Sequence, residues 1–342
     1  MQAPSLHDYV RSYFTLFERF EQEQQSSTLH RGHPFDYEMK ALMFFFTLMQ
    51  VRRINGFKTQ WRWLTQHPEV VIWLGFETVP VRTTLSRRYK TLYPTLQAFI
   101  AYLGQWAETL STEFDSHVLI EDGSLFKAHG PVWHQSDRLA QRVPDKLRNL
   151  DQDATWSKSG YHGWVYGYSL HLSCNRAGFP KLAQVETASV DESVVFEQKK
   201  EALFQFDPEA IVGDNGYFQA MRVRRWATEG VLLLSPAATW KNGKYAQAYH
   251  QFIKQEPYRT WLKCRKTAIE PIFDLLSKLL GTSNNHKQLP LQKLANVQPF
   301  LCLGVIALQI TMIVNNAFGP ANQIYFIFSH GLGLDPLCTL LK

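Results

Sequence analysis

Apolar residues change their spacing near residue 112, and that change divides the chain. Before it the period is helical. Tyr9, Tyr13, Phe14 and Phe17 fall on one side of a helix over residues 5–23. EMKALMFFFTLMQ is apolar nearly all round, which predicts the centre of a small helical domain, with Asp36 as the N-cap before it. Asn55-Gly56 marks a turn, and FKTQWRWLTQHPEVVIWLGF predicts two short helices broken before Pro68. VRTTLSRRYKTLYPTL predicts a short helix capped by Thr83 or Thr84 and carrying Arg87, Arg88 and Lys90. A capped basic helix after helices and turns resembles the second helix of a helix-turn-helix, although basic clusters also serve as solvated faces.

From residue 115 the pattern is one of strands and helices. SHVLIEDGS reads as a buried strand ending at Asp122, and residues 138–158 as an exposed loop. YHGWVYGYSLHLSCN alternates Trp164, Tyr166, Tyr168, Leu170 and Leu172 with other residues, which predicts a second strand. FPKLAQVETASV predicts a third, antiparallel to the others. A helix follows, capped by Ser189 or Asp191, then the strand and turn AIVGDNGY, a helix stopped by Gly230, and the strand VLLLSP. Residues 237–262 read as a polar, aromatic insertion. RKTAIEPIFDLLSKLLG predicts a helix that starts at Glu270, with Pro271 in its first turn. The order β-β-β-α-β-α-β-α predicts an α+β domain: a mixed sheet flanked by helices, preceded by an all-helical N-terminal domain.

Composition narrows the class. The chain has 342 residues, 45% of them hydrophobic, enough for two domains. Its net charge of +6 is modest and points to a polyanion only where it clusters. Cys174, Cys264, Cys302 and Cys338 form no CxxC pair and read as thiols in a reducing compartment. The apolar run FLCLGVIALQITMIV is shorter than the roughly 20 residues of a membrane span and predicts a core helix. No apolar leader opens the chain. Together these features predict a soluble, intracellular protein with no membrane partner. None of His129, His134, His162 and His171 has zinc-ligand spacing, and no role is assigned to them.

Three acids carry the candidate chemistry. Asp122 and Asp214 each follow an apolar strand, and Glu270 lies downstream on an amphipathic helix. Taken singly, Asp122-Gly123 and Asp214-Asn215-Gly216 are turn signals, and Glu270 is a carboxylate that suits a helix dipole. Taken in order, on strand, strand and helix, they form a set able to hold two Mg²⁺ ions about 3.5–4 Å apart against a phosphodiester. Mn²⁺ is an acceptable substitute.

Those segments resemble the DDE transposases of bacterial insertion sequences, whose core is ribonuclease-H-like. The resemblance rests on IEDGSLFKAHG, on GYHGWVYGYSLHLSCNRAGFPKLAQVETASVDES, on IVGDNGY and on RKTAIEPIFDLL, and spans residues 115–317. It implies Asp122, Asp214 and Glu270 as catalytic, metal-holding acids. Some relatives place an arginine four residues before the glutamate, a tyrosine seven before and a lysine seven after. Here Lys266 and Lys263 fill the first two positions and Lys278 falls one place late. Lys263, Arg265, Lys266 and Lys278 are candidate phosphate contacts, or solvated helix-end charges. Some relatives stack a tryptophan of the insertion on a flipped base, which singles out Trp240 and Trp261 here, although so short an insertion favours a packing role for a tryptophan. A histidine-aspartate pair of some relatives is Val190-Asp191 here, leaving Asp191 a capping role.

The implied protein is a transposase with a DNA-binding domain over 1–112, a catalytic domain over 113–320 with its insertion at 237–262, and a tail over 321–342. It binds terminal inverted repeats and target DNA, as a homodimer when two ends are paired, and cleaves and joins strands. It resides in the bacterial cytoplasm, on the nucleoid when DNA-bound. A ribonuclease-H-like nuclease that cuts without joining, and a catalytically dead DNA-binding derivative, are the alternatives.

Overall fold

The computed structural model describes residues 6–24, 37–160, 163–236, 244–283 and 287–318. They form two compact units. The first comprises the described residues up to 102, together with 279–281 and 295–318. The second comprises 103–278 and 282–294, apart from the undescribed positions within them.

The first unit is helical: α1 (Leu6–Gln24), α2 (Met39–Val51), α3 (Phe57–Gln66), α4 (Pro68–Trp73), α5 (Arg82–Lys90) and most of α6 (Tyr93–Glu108). The long helix α13 (Leu294–Phe318) lies almost wholly in this unit rather than with the sheet. The reason is packing. Residues Ala41 to Gln50 of α2 are all buried, so α2 needs apolar partners on every side. α13 is likewise buried along 89% of its apolar window; by length and composition alone it could cross a membrane. The Gln50 amide donates to the Phe300 carbonyl at 2.7 Å, and the Gln309 amide to the Ile100 carbonyl at 3.0 Å, tying α13 to α2 and α6. Asp36 lies outside the described residues, and Glu38 holds the N-cap of α2. α5 begins one residue before Thr83, with Val81 at its N-cap, so neither threonine caps it.

The second unit is built on a sheet of β1 (Val118–Lys127), β2 (Thr155–Ser159), β3 (Gly163–Asn175), β4 (Pro180–Thr187), β5 (Ala210–Val212) and β6 (Leu232–Leu234). β1 pairs antiparallel with β3 on one side and parallel with β5 on the other, β5 pairs parallel with β6, and β4 and β2 pair antiparallel with β3. This is the mixed sheet expected from the order of elements. The end of α7 (Gln135–Leu139) and most of β2 lie in the stretch expected to be a loop. α8 (Glu192–Gln198) and α9 (Lys200–Phe204), joined at Lys199, follow β4, and α10 (Ala220–Thr228) joins β5 to β6. Asp191 caps α8, its carboxylate accepting from the Ser193 N–H at 2.8 Å, as expected.

α11 (Lys244–Phe252) lies in the expected insertion. α12 (Tyr258–Leu279) begins within the expected insertion and corrects one expectation: Pro271 lies inside the helix and not in its first turn. Proline removes one i→i−4 hydrogen bond, but Ala268, Ile269, Ile272, Phe273 and Leu276 bury a continuous apolar stripe on both sides of it. That burial offsets the missing bond, and Glu270 sits mid-helix.

Candidate active site

The register of the parallel pair β1–β5 places the two aspartates. Ile120 is opposite Val212, and pairing ends there. Asp122 and Asp214 each lie two residues further on, at the same level beyond the carboxyl end of β5, where open α/β sheets bind ligands. β1 itself continues to Lys127 alongside β3. Asp122-Gly123 is therefore mid-strand and not a turn. The Asp214 segment is a turn: its Oδ1 accepts from the Gly216 N–H at 2.7 Å, and its carbonyl accepts from the Ser235 hydroxyl. Gly213 is required there, because a Cβ would lie 2.6 Å from the Tyr217 ring.

α12 brings the third acid. Arg265 Nη1 donates to Asp122 Oδ2 at 2.8 Å, and its Nη2 lies 3.7 Å from Glu270 Oε1. One guanidinium thus stands between the first and third acids. Asp122 is 15% exposed and Glu270 52%. Burial, with Asp214 and Glu270 adding repulsion, raises the Asp122 carboxyl to about 6 against the pull of Arg265 and the Gly123 N–H. Lys287 Nζ donates to Ser124 Oγ at 2.6 Å on the same strand, and burial lowers its pKa.

Asp122, Asp214, His171, Glu192 and Lys287 line one cleft of about 510 Å³. Sequence reasoning passed over Glu192 and Lys287 and gave His171 no role. The available signals were weak: an acid in a first helical turn, a lysine in a basic loop, and a polar residue on an otherwise apolar strand. Burial, with Asp214 and Asp122 nearby, raises the Glu192 carboxyl to about 7. Burial lowers His171 to about 3, so its ring is neutral.

The remaining expected contacts divide. Arg265 enters the site, while Lys263 and Lys266 are exposed on α12. Lys278 pairs with Asp274 at 2.6 Å. Arg87 and Lys90 are exposed on α5, but Arg88 is buried at 9% exposure. Trp240 lies outside the described residues. Trp261 is buried against His117 and Tyr258, which leaves no face for a base.

The family described as transposase DDE domain matches residues 113–302, more than half of the chain. The chain belongs to the transposase DDE domain family. The matched span holds Asp122, Asp214 and Glu270, and the protein is a transposase. No curated protein matches it. Among solved structures, the "Mos1 transposase paired-end complex with left transposon end" is 11% identical, with 93% of this chain and 90% of that chain covered at a TM-score of 0.22. The "Mos1 Strand Transfer Complex" is 12% identical, with 78% and 88% covered at 0.21. Scores this low carry no argument about this transposase, whose sheet order and family match stand on their own.

Proposed function

We propose that this transposase cleaves DNA at the ends of its element and joins those ends to target DNA, with Asp122, Asp214 and Glu270 as its catalytic acids. The observation that carries the reading is the level placement of Asp122 and Asp214 beyond β5, with Arg265 joining Asp122 to Glu270. Among the described residues, no three acidic, histidine or cysteine side chains stand close enough to hold a metal ion as they are. Yet the donors are hard carboxylate oxygens in charge excess, and a guanidinium already stands between two of them as a cation would. A pair of Mg²⁺ or Mn²⁺ ions would be held by Asp122, Asp214 and Glu270. Such a pair, when bound, activates the attacking oxygen and offsets charge on the leaving one.

The chain's own groups do the rest. Arg265 gives up Asp122 and Glu270 and turns to the phosphate next to the cut bond, a contact suited to its planar fork. Lys287 adds positive charge beside Ser124. The walls of the cleft hold the phosphodiester against the acids and limit water to the hydrolytic step. The nucleophile is water first and a DNA 3′-hydroxyl second, so no protein–DNA bond forms. Arg87 and Lys90 on α5, with exposed Arg82 beside them, contact terminal-repeat phosphates, and two copies pair two ends.

The test incubates the protein with DNA flanking its own reading frame, with Mg²⁺ or Mn²⁺, beside Asp122→Asn. Metal-dependent nicks at an inverted repeat, absent in the variant, and joined products with target DNA are expected. Nicks without joined products would reduce the activity to that of a nuclease. Equal nicking by the variant would remove Asp122 from the site.

A further inference from the structure

We propose that Glu192 is a fourth carboxylate of the active site, a ligand for divalent metal alongside Asp122 and Asp214, with His171 as the polar floor beneath it. The inference rests on the metal-dependent reading above and extends it to residues outside the three acids.

Gly123 shows where these groups converge. It is paired with His171 in the middle of β1. A Cβ on Gly123 would lie 2.7 Å from Glu192 Oε1 and 3.1 Å from His171 Nδ1. Two polar side chains from different elements therefore reach the same point beside Asp122, and only glycine leaves that point open. A strand-interior glycine with no turn to make marks a close approach of this kind.

Glu192 is held there by packing. Four residues on, Phe196 meets the Tyr217 ring edge-on at 5.4 Å and stacks on Trp226 at 4.6 Å. Tyr217 belongs to the turn that Asp214 opens. Glu197, next along α8, accepts from Arg222 at 2.9 Å, and Arg222 donates to the Tyr217 carbonyl at 3.0 Å. α8 is thus docked on the Asp214 turn, and its first residue is delivered to the acids.

A structural role does not account for this placement. Among the described residues no hydrogen bond holds the Glu192 carboxylate, and Asp214, Asp122 and Asp191 all repel it. Arg265 offsets that repulsion in part and is already engaged with Asp122. An acid packed among acids is a folding cost that a bound cation removes. His171 supplies the independent sign of a ligand. It is 1% exposed, its Nε2 is bonded to Ser169 Oγ at 2.9 Å, and its Nδ1 has no partner among the described residues. A buried polar atom left open toward a cleft expects a water or a ligand atom.

The experiment measures Mn²⁺ binding to the DNA-free full-length protein, by electron paramagnetic resonance of unbound Mn²⁺ and by the rise in Tm that Mn²⁺ causes. Glu192→Gln should weaken binding at least about tenfold and shrink the Tm rise, while raising Tm in EDTA. Asp191→Asn, which keeps the helix cap, should bind as wild type. If Glu192→Gln folds poorly, Gly123→Ala, which pushes the same carboxylate aside, should give the same loss. Wild-type Mn²⁺ binding by folded Glu192→Gln, with loss in Asp122→Asn, overturns the assignment of Glu192 alone. An equal loss in Asp191→Asn also overturns it, by reducing the effect to net charge. Wild-type binding by Asp122→Asn sinks the three-acid reading itself.

Discussion

Glu121 and Asp122 are neighbours in β1, yet they stand in two different regions. Successive side chains of a strand point to opposite faces, so the pair is split by the sheet. Glu121 is fully buried, and Lys199 Nζ reaches it at 2.6 Å. Ser173 donates to it as well and accepts from Lys199 at 2.9 Å. One acid meets one lysine and one hydroxyl, and the network is closed. Across the sheet Asp122 shares its cleft with Asp214 and Glu192, faces Glu270 through Arg265, and carries a surplus of negative charge. A closed pair is a structural element, and a surplus is a site that lacks its cation. Burial alone does not separate the two, because it raises the carboxyl of both.

That contrast can be broken from either side. The largest effect is expected in the open region. Asp122→Asn, Asp214→Asn and Glu270→Gln should each lower DNA cleavage at least about a thousandfold, or about 4 kcal/mol of barrier, with DNA binding nearly intact in a mobility-shift assay. Next comes the closed region. Lys199→Met strands a buried carboxylate and should cost about 3–5 kcal/mol in urea unfolding, whereas Glu121→Leu with Lys199→Met should recover most of that loss. The same operation has the opposite sign at the open site. The Asp122 carboxyl has a folded-state pKa raised to about 6, so its neutral form favours the fold. The stability this provides is present below the unfolded value near 4 and lost as pH rises through about 6. Asp122→Asn, neutral at every pH, should therefore raise metal-free stability by about 1–2 kcal/mol at pH 8 and by nothing at pH 3. The smallest effect lies in the helical unit. Reversing charge at Arg87 and Lys90 should weaken DNA binding and lower its salt slope by about one per lost phosphate contact. An unchanged slope would place DNA recognition elsewhere.

Much of the fold was legible because its signals are local. Period and burial marked α1, α2 and the strands; Asp191 lay one residue before its helix and caps it; Asp214-Asn215-Gly216 is the turn it resembled. Other features depended on distant partners. β2 is too short and polar to announce itself. Pro271 looked like a helix start because the apolar stripe that carries α12 through it is felt only when packed. Arg88 and Arg87 are equal in sequence, yet one is buried. Arg265, one of four basic candidates, is the one whose position on α12 reaches Asp122.

Sequence by itself determined the inventory: the alternation that makes β1 a strand, the acids at the ends of apolar runs, and the glycine beside Asp122. Tertiary structure decided which acids meet. A two-residue overhang of parallel strands set Asp122 level with Asp214, the pairing of Gly123 with His171 opened a space, and the docking of α8 through Phe196 placed Glu192 in it. Local preferences act over a few residues, whereas carboxylates from strands and helices far apart in the chain meet only after the core that positions them has packed.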